Sequence, residues 1–137
     1  MVVSRIRIPS MNTPYHICIL EDDPFFAGLF ARKFEARGWK TTVIEHPDDV
    51  DQCVEDGMDV LVMDIESSEG DGRELIPRMK ASPKTATMPI IVLTKASDRA
   101  TVQKMMGHGV DAYLLKGHFV PSEVVEKVHR ILESRAA

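Results

Sequence analysis

Three short apolar runs constrain the fold of this chain more than any other feature. They lie within Tyr15 to Leu20, where Ile17-Cys18-Ile19-Leu20 is apolar, Asp59 to Asp64 and Pro89 to Thr94. Each has strand length and lacks the alternating polar positions of a strand that faces water. A strand buried on both faces belongs in a parallel sheet covered by helices on either side. Two weaker strands complete the set, Trp39 to Ile44 and Val110 to Leu115.

Helical patterns separate these strands. Pro24 to Arg37 carries Phe25, Phe26, Leu29, Phe30 and Phe34 at helical spacing, with proline in the first turn and Gly38 beyond the end. Asp48 to Glu55 and Glu74 to Ala81 are shorter, the second expected to be irregular around Pro77. Asp98 to His108 is expected to turn Val102, Met105 and Met106 inward. Pro121 to Glu133 is expected to do so with Val124, Val125, Val128, Ile131 and Leu132. Alternation of this kind predicts an α/β fold, a (βα)5 doubly wound parallel sheet of order 2-1-3-4-5. Residues 1–14, with breakers at Pro9 and Pro14, are expected to be an N-terminal extension ahead of one domain over 15–137.

The strand ends carry the chemistry. The first strand delivers Glu21-Asp22-Asp23, the third Asp64, the fourth Thr94 and the fifth Lys116. In an open parallel sheet, ligand sites form outside the carboxyl ends of the strands. Carboxylates, a hydroxyl and an ammonium are therefore expected at one rim. Clustered carboxylates repel unless a cation relieves them, and carboxylate oxygens suit Mg²⁺, which also takes phosphate oxygens. Asp64 is then placed as a nucleophile for a phosphoryl group, with Lys116 and the metal neutralising the transferred charge. Taken singly these residues are ordinary: an acidic cluster before a helix is often a cap, and Asp23 before Pro24 fits that role.

Composition narrows the field. The formal charge is −4 with no basic cluster, so nucleic acid is not an expected partner. No apolar run approaches membrane-spanning length and no secretory leader is evident, so a cytoplasmic protein is expected. Cys18 and Cys53 read as two reduced buried thiols, and the five histidines, in no ligand spacing, as loop or surface residues. The eight methionines read as core and gap fillers.

With these motifs in register, the chain resembles the receiver domain of two-component response regulators, a CheY-like, flavodoxin-like fold. The separations of the key residues (94 − 64 = 30 and 116 − 94 = 22) are typical of that family. So are Tyr113 three residues before the lysine and the pair Asp71-Gly72 after the acceptor. The resemblance spans roughly residues 15 to 134. It implies that Asp64 is the phosphoacceptor, that Thr94 and Tyr113 are switch residues, and that Thr94 and Lys116 hold phosphoryl oxygens. It also implies Mg²⁺ ligands: Asp22 and Asp64 directly, Glu21 through water, and the backbone carbonyl of Glu66. Implied partners are a histidine kinase or histidine phosphotransfer protein and a downstream protein target, with a monomer or a phosphorylation-dependent dimer. A stand-alone receiver is expected.

Four positions depart from the family pattern. Gly117 follows Lys116 where proline is usual, Lys95 follows Thr94 where a small residue is usual, Ser68 replaces a common proline, and Glu66 adds an acid beside the site. Lys95 and Glu66 are expected to tune donor access and phosphate loss. Two other readings stay open. One is a Mg²⁺-dependent aspartyl-phosphate phosphohydrolase, since Asp64-Ile65-Glu66 has an acid two residues after the nucleophile. Haloacid dehalogenase-like phosphatases, however, have Asp there, and here Ser67-Ser68 follows. The other is a degenerate receiver that binds a partner without being phosphorylated.

Overall fold

A computed structural model describes residues 14–67 and 70–136 of the chain. Nearly all of the expected N-terminal extension, and Ser68, lie outside the described residues. Five strands, β1 (His16–Leu20), β2 (Lys40–Ile44), β3 (Val60–Met63), β4 (Ile90–Thr94) and β5 (Ala112–Leu115), form one parallel sheet of order β2-β1-β3-β4-β5. Five helices alternate with them: α1 (Pro24–Glu35), α2 (Val50–Glu55), α3 (Leu75–Ala81), α4 (Arg99–Gly107) and α5 (Pro121–Ala136). The fold class and strand order are those the sequence predicts.

The two-residue period of a strand divides the apolar runs between two cores. Ile17 and Ile19 of β1, Val60 and Val62 of β3, and Ile91 and Leu93 of β4 face α1 and α5, meeting Phe30, Phe34, Val124 and Val128. Their neighbours Cys18, Leu20, Leu61, Met63, Ile90 and Val92 face α2, α3 and α4, meeting Val50, Ile76, Met79 and Met105. Every residue of β1, β3 and β4 is buried. This is why their sequences show no alternation.

Local chemistry sets the helix ends. Asp23 caps α1 by accepting the Phe25 N–H at 2.9 Å, and Pro24 occupies the first turn, where no intrahelical donor is lost. Asp98 caps α4 by accepting both the N–H (3.0 Å) and the hydroxyl (2.7 Å) of Thr101. Pro77 does not disrupt α3. A 3-10 turn over Gly72–Glu74 precedes the helix, so proline falls in its first turn. α5 runs past the expected Glu133 because Arg135 is anchored, one guanidinium nitrogen to the Thr87 carbonyl (2.6 Å) and the other to Asp111 (2.5 Å).

Two residues counted in the apolar helix patterns are corrected. Met106 is 46% exposed and Phe25 67% exposed. Each lies one residue, about 100° of helix rotation, off the buried stripe that carries Met105 or Phe30 and Phe34. The loop after β3 holds a small antiparallel hairpin, Glu66–Ser67 against Gly70–Asp71, where the sequence predicts only turns. The two thiols are buried as expected, but they also touch: Cys18 donates to the Cys53 sulfur at 3.0 Å between β1 and α2. That hydrogen bond and burial push the Cys18 thiol far above its ordinary range, so it stays protonated.

His16 is also corrected, because it is buried at the start of β1 with Nε2 2.7 Å from the Thr42 hydroxyl. Burial, aided by Lys40 and opposed by Asp59 and Asp56, lowers its pKa below 6.5. The unfolded chain then binds the proton more readily than the folded one. His16 is therefore expected to cost no stability well above pH 6.5 and an increasing amount as pH falls below it. Thermal melts between pH 7.5 and about 5 should decline less steeply for His16→Leu than for the wild type. Parallel declines would show that His16 is not the acid-sensitive group.

Candidate functional site

The expected strand ends do converge. Glu21 N–H bonds the Ile44 carbonyl (3.0 Å), Asp64 N–H the Leu20 carbonyl (3.0 Å) and Lys116 N–H the Thr94 carbonyl (2.8 Å). The sheet ladder thus continues into these residues and fixes their backbones before their side chains are considered. Asp64 is 7% exposed. Its Oδ1 accepts the Thr94 hydroxyl at 2.6 Å and the Glu66 N–H at 2.8 Å, and its Oδ2 accepts the Lys116 ammonium at 2.7 Å. The same ammonium lies 2.5 Å from Glu21 Oε1. Lys116 is almost fully enclosed, with 4% of its side chain exposed.

The charges respond to this enclosure. Burial raises the pKa of Glu21 despite the Lys116 contact, and the nearby Asp64 charge raises it further. Burial alone would lower the Lys116 ammonium, but hydrogen bonds and charge from Asp64 and Glu21 outweigh it and the net shift is upward. The lysine is therefore a fixed positive charge against the Asp64 carboxylate.

Of the acidic triplet, Glu21 is buried and reaches Lys116, Asp22 is half-buried beside it, and Asp23 is exposed and caps α1. Glu66 has an exposed side chain, and its backbone pairs across the hairpin with Asp71. Among the described residues, no three His, Cys, Asp or Glu side chains form a ready-made metal cage. The donor chemistry nevertheless fits a hard cation. The rim carries the carboxylate oxygens of Glu21 and Asp64 on the one enclosed ammonium of Lys116, burial already disfavours charge on Glu21, and the half-buried Asp22 follows Glu21 in the chain.

Tyr113 is half-buried against the α2–α4 core, and its hydroxyl donates to the Ala96 carbonyl at 2.6 Å. Burial, with Asp98 and Glu66 nearby, raises its pKa, so it remains a donor. Ala96 lies two residues after Thr94, so Asp64, the Thr94 hydroxyl and Tyr113 form one short chain of contacts. The loop after β5 shows why glycine follows Lys116. His118 N–H closes a turn on the Leu115 carbonyl at 3.1 Å, and Gly117 sits in it at φ +88°. Proline, locked near −65°, cannot adopt that conformation. No cis peptide bond occurs among the described residues.

Two contacts escaped the sequence reading. Gly72 packs so closely on the end of β3 that a Cβ would lie 2.9 Å from Met63 Cε and 3.2 Å from the Asp64 carbonyl oxygen. The Asp-Gly pair signals that position, but the close approach is a matter of packing. Phe26, read only as a core position of α1, lies with its ring centroid 4.4 Å from Lys116 Nζ and 5.5 Å from Lys95 Nζ. Nothing in helical spacing reveals that contact.

Among the described residues no helix is long and apolar enough to cross a membrane. The architecture recurs in solved structures. The signal receiver domain of a histidine kinase from Syntrophus aciditrophicus is 26% identical, with a TM-score of 0.78 over 88% of this chain and 91% of that one. A CheY-like response regulator receiver domain protein from Methanospirillum hungatei JF-1 is 19% identical, with a TM-score of 0.80 over 90% of this chain and 97% of that one, and shares the fold. In sequence, the phosphate regulon transcriptional regulatory protein PhoB of Rhizobium meliloti is 26% identical over 117 residues, 85% of this chain and 51% of that protein. The chain spans about half the length or less of the curated relatives it matches. Residues 17–129, which hold every strand of the sheet but the first residue of β1 and all four strand ends around Asp64, match the family model of the response regulator receiver domain, and the chain belongs to that family.

Proposed function

We propose that this receiver domain is a phosphoacceptor switch in which Asp64 takes a phosphoryl group from a histidine kinase or a histidine phosphotransfer protein. A receiver domain is a signalling module of two-component systems rather than an enzyme, which removes the phosphohydrolase alternative. One observation carries the reading: a nearly buried aspartate holds the Thr94 hydroxyl on one oxygen and the Lys116 ammonium on the other.

In the transfer, an Asp64 carboxylate oxygen attacks phosphorus. The P–N bond to the donor imidazole, protonated on its other ring nitrogen, breaks, and its electron pair returns to the ring, leaving neutral imidazole. Lys116 and Thr94 then turn from carboxylate to phosphoryl oxygens, supplying charge and a hydrogen bond without large movement. Asp22, Asp64 and the Glu66 carbonyl, with Glu21 through water, would hold Mg²⁺, which neutralises charge on the phosphoryl group when bound. Withdrawal of Thr94 from its present contact shifts the segment through Ala96 on which the Tyr113 hydroxyl rests. That two-state change alters the surface offered to a downstream protein.

Incubation of the purified protein with acetyl phosphate and Mg²⁺ is expected to add one phosphoryl group by intact mass. The adduct should be absent with a chelator and absent in Asp64→Asn. No adduct in the wild type, or an adduct that survives Asp64→Asn, would overturn the proposal.

A further inference from the structure

Phe26 links Lys116, which lies on Asp64, to a second long cation, Lys95. Its ring is rooted on Phe30, stacked at 6.4 Å with 16° between planes, and flanked edge-on by Phe25 at 5.5 Å. From there it reaches the enclosed Lys116 ammonium at 4.4 Å and the Lys95 ammonium at 5.5 Å. Both distances are within the range over which an aromatic face attracts a cation. Lys116 in turn lies 2.7 Å from the acceptor oxygen, so the ring stands one ammonium away from Asp64. Lys95 is an exposed residue at the end of β4, and Phe26 belongs to the first turn of α1. A flexible lysine at an exposed strand end has its charge best hydrated in open water. Here it lies over a ring instead, and the contact joins two segments on different sides of the acceptor.

We propose that Phe26 and Lys95 form a cation–π latch beside Asp64, with Phe26 as a positioning residue for Lys116, and that this latch restricts water at the acceptor and sets the lifetime of the phosphorylated state. The inference rests on the phosphoacceptor reading above. Loss of phosphate is attack of a water oxygen on phosphorus. The bond from phosphorus to the Asp64 oxygen breaks, its electron pair returns to the carboxylate, and inorganic phosphate leaves with the water's protons shared between it and solvent. The latch slows that step by narrowing the approach of water to phosphorus.

The test follows phosphate loss from acetyl phosphate-labelled protein after donor removal, at fixed Mg²⁺. Phe26→Leu and Lys95→Ala are each expected to speed the loss about 3- to 10-fold, the range of a partly desolvated cation–π contact. Phe26→Tyr, which keeps the aromatic face, should stay within about twofold of the wild type. The double variant Phe26→Leu/Lys95→Ala should be no faster than the faster single variant, because either change opens the same latch. Unchanged rates, Tyr behaving as Leu, or a double variant whose effect is the product of the singles would overturn the latch while leaving phosphorylation of Asp64 standing. Lys95→Ala alters an exposed side chain and keeps the test decisive if Phe26 variants fold poorly. A wild type that accepts no label would overturn the phosphoacceptor reading, and the latch with it.

Discussion

Lys116→Met is expected to lower the stability of the domain by about 3–5 kcal/mol, the usual cost of removing one partner from a buried ion pair. Methionine replaces much of the stem volume, so the loss is one of charge rather than packing. The Lys116 side chain is 4% exposed and its ammonium serves two carboxylates at once, Asp64 at 2.7 Å and Glu21 at 2.5 Å. Without it those carboxylates face each other in an enclosed rim with no counter-charge. Two consequences separate this account from a general packing defect. Asp64→Asn introduced into Lys116→Met should recover part of the loss, because one of the unpaired charges is then gone. The coupling between the two substitutions should reach about 1–3 kcal/mol. Added Mg²⁺ should also stabilise Lys116→Met, since it binds the folded carboxylates and not the unfolded chain. Urea denaturation of the wild type, both single variants and the double variant measures all of this. Additive losses would mean that Lys116 and Asp64 do not stabilise each other. On the functional side, Lys116→Met should slow labelling of Asp64 about tenfold or more, as expected when a preorganised charge on the transferring group is removed.

How much of this was legible in the sequence depends on how far apart the interacting residues lie. The buried strands were legible because burial on both faces removes polar residues from Ile17–Leu20, Val60–Met63 and Ile90–Leu93, a purely local signature. The meeting of Asp64, Thr94, Lys116 and Glu21 was legible because parallel topology carries every strand end to the same rim. The Asp23 cap was legible because its partner is two residues away. What failed depended on tertiary packing. His16 is polar in sequence yet buried at the start of β1, with Thr42 of the neighbouring strand as its partner. Cys18 and Cys53 touch only because α2 lies against β1. The hairpin at Glu66–Ser67 and Gly70–Asp71 is too short to show a period of its own. Met106 and Phe25 illustrate the limit of helical periodicity, which places a stripe to within about one residue and so misassigns its edges.

Phe34→Ala is expected to produce the second large effect, and a different kind of effect. Phe34 is fully buried, stacked on Trp39 at 5.9 Å, and part of the core that joins β1 to α5 through Ile17, Ile19, Val124 and Val128. Truncating such a ring costs about 3–5 kcal/mol in lost transfer energy and cavity formation. A domain of this size has about 5–15 kcal/mol in total, so the melting temperature should fall by about 10–20 °C. The substitution lies toward the C-terminal end of α1, eight residues beyond Phe26 (34 − 26 = 8), or about 12 Å along the axis. The strand ends that hold Asp64, Thr94 and Lys116 belong to the sheet and not to α1. At a temperature where Phe34→Ala is still folded, labelling of Asp64 by acetyl phosphate should therefore proceed at close to the wild-type rate. Circular dichroism melts and intact-mass labelling of the same samples check both halves. A melting temperature near that of the wild type would show that the core closes over the lost ring. Lost labelling in a folded sample would show that the acceptor depends on the seating of α1 as well as on the sheet, and that scaffold and site are one cooperative unit.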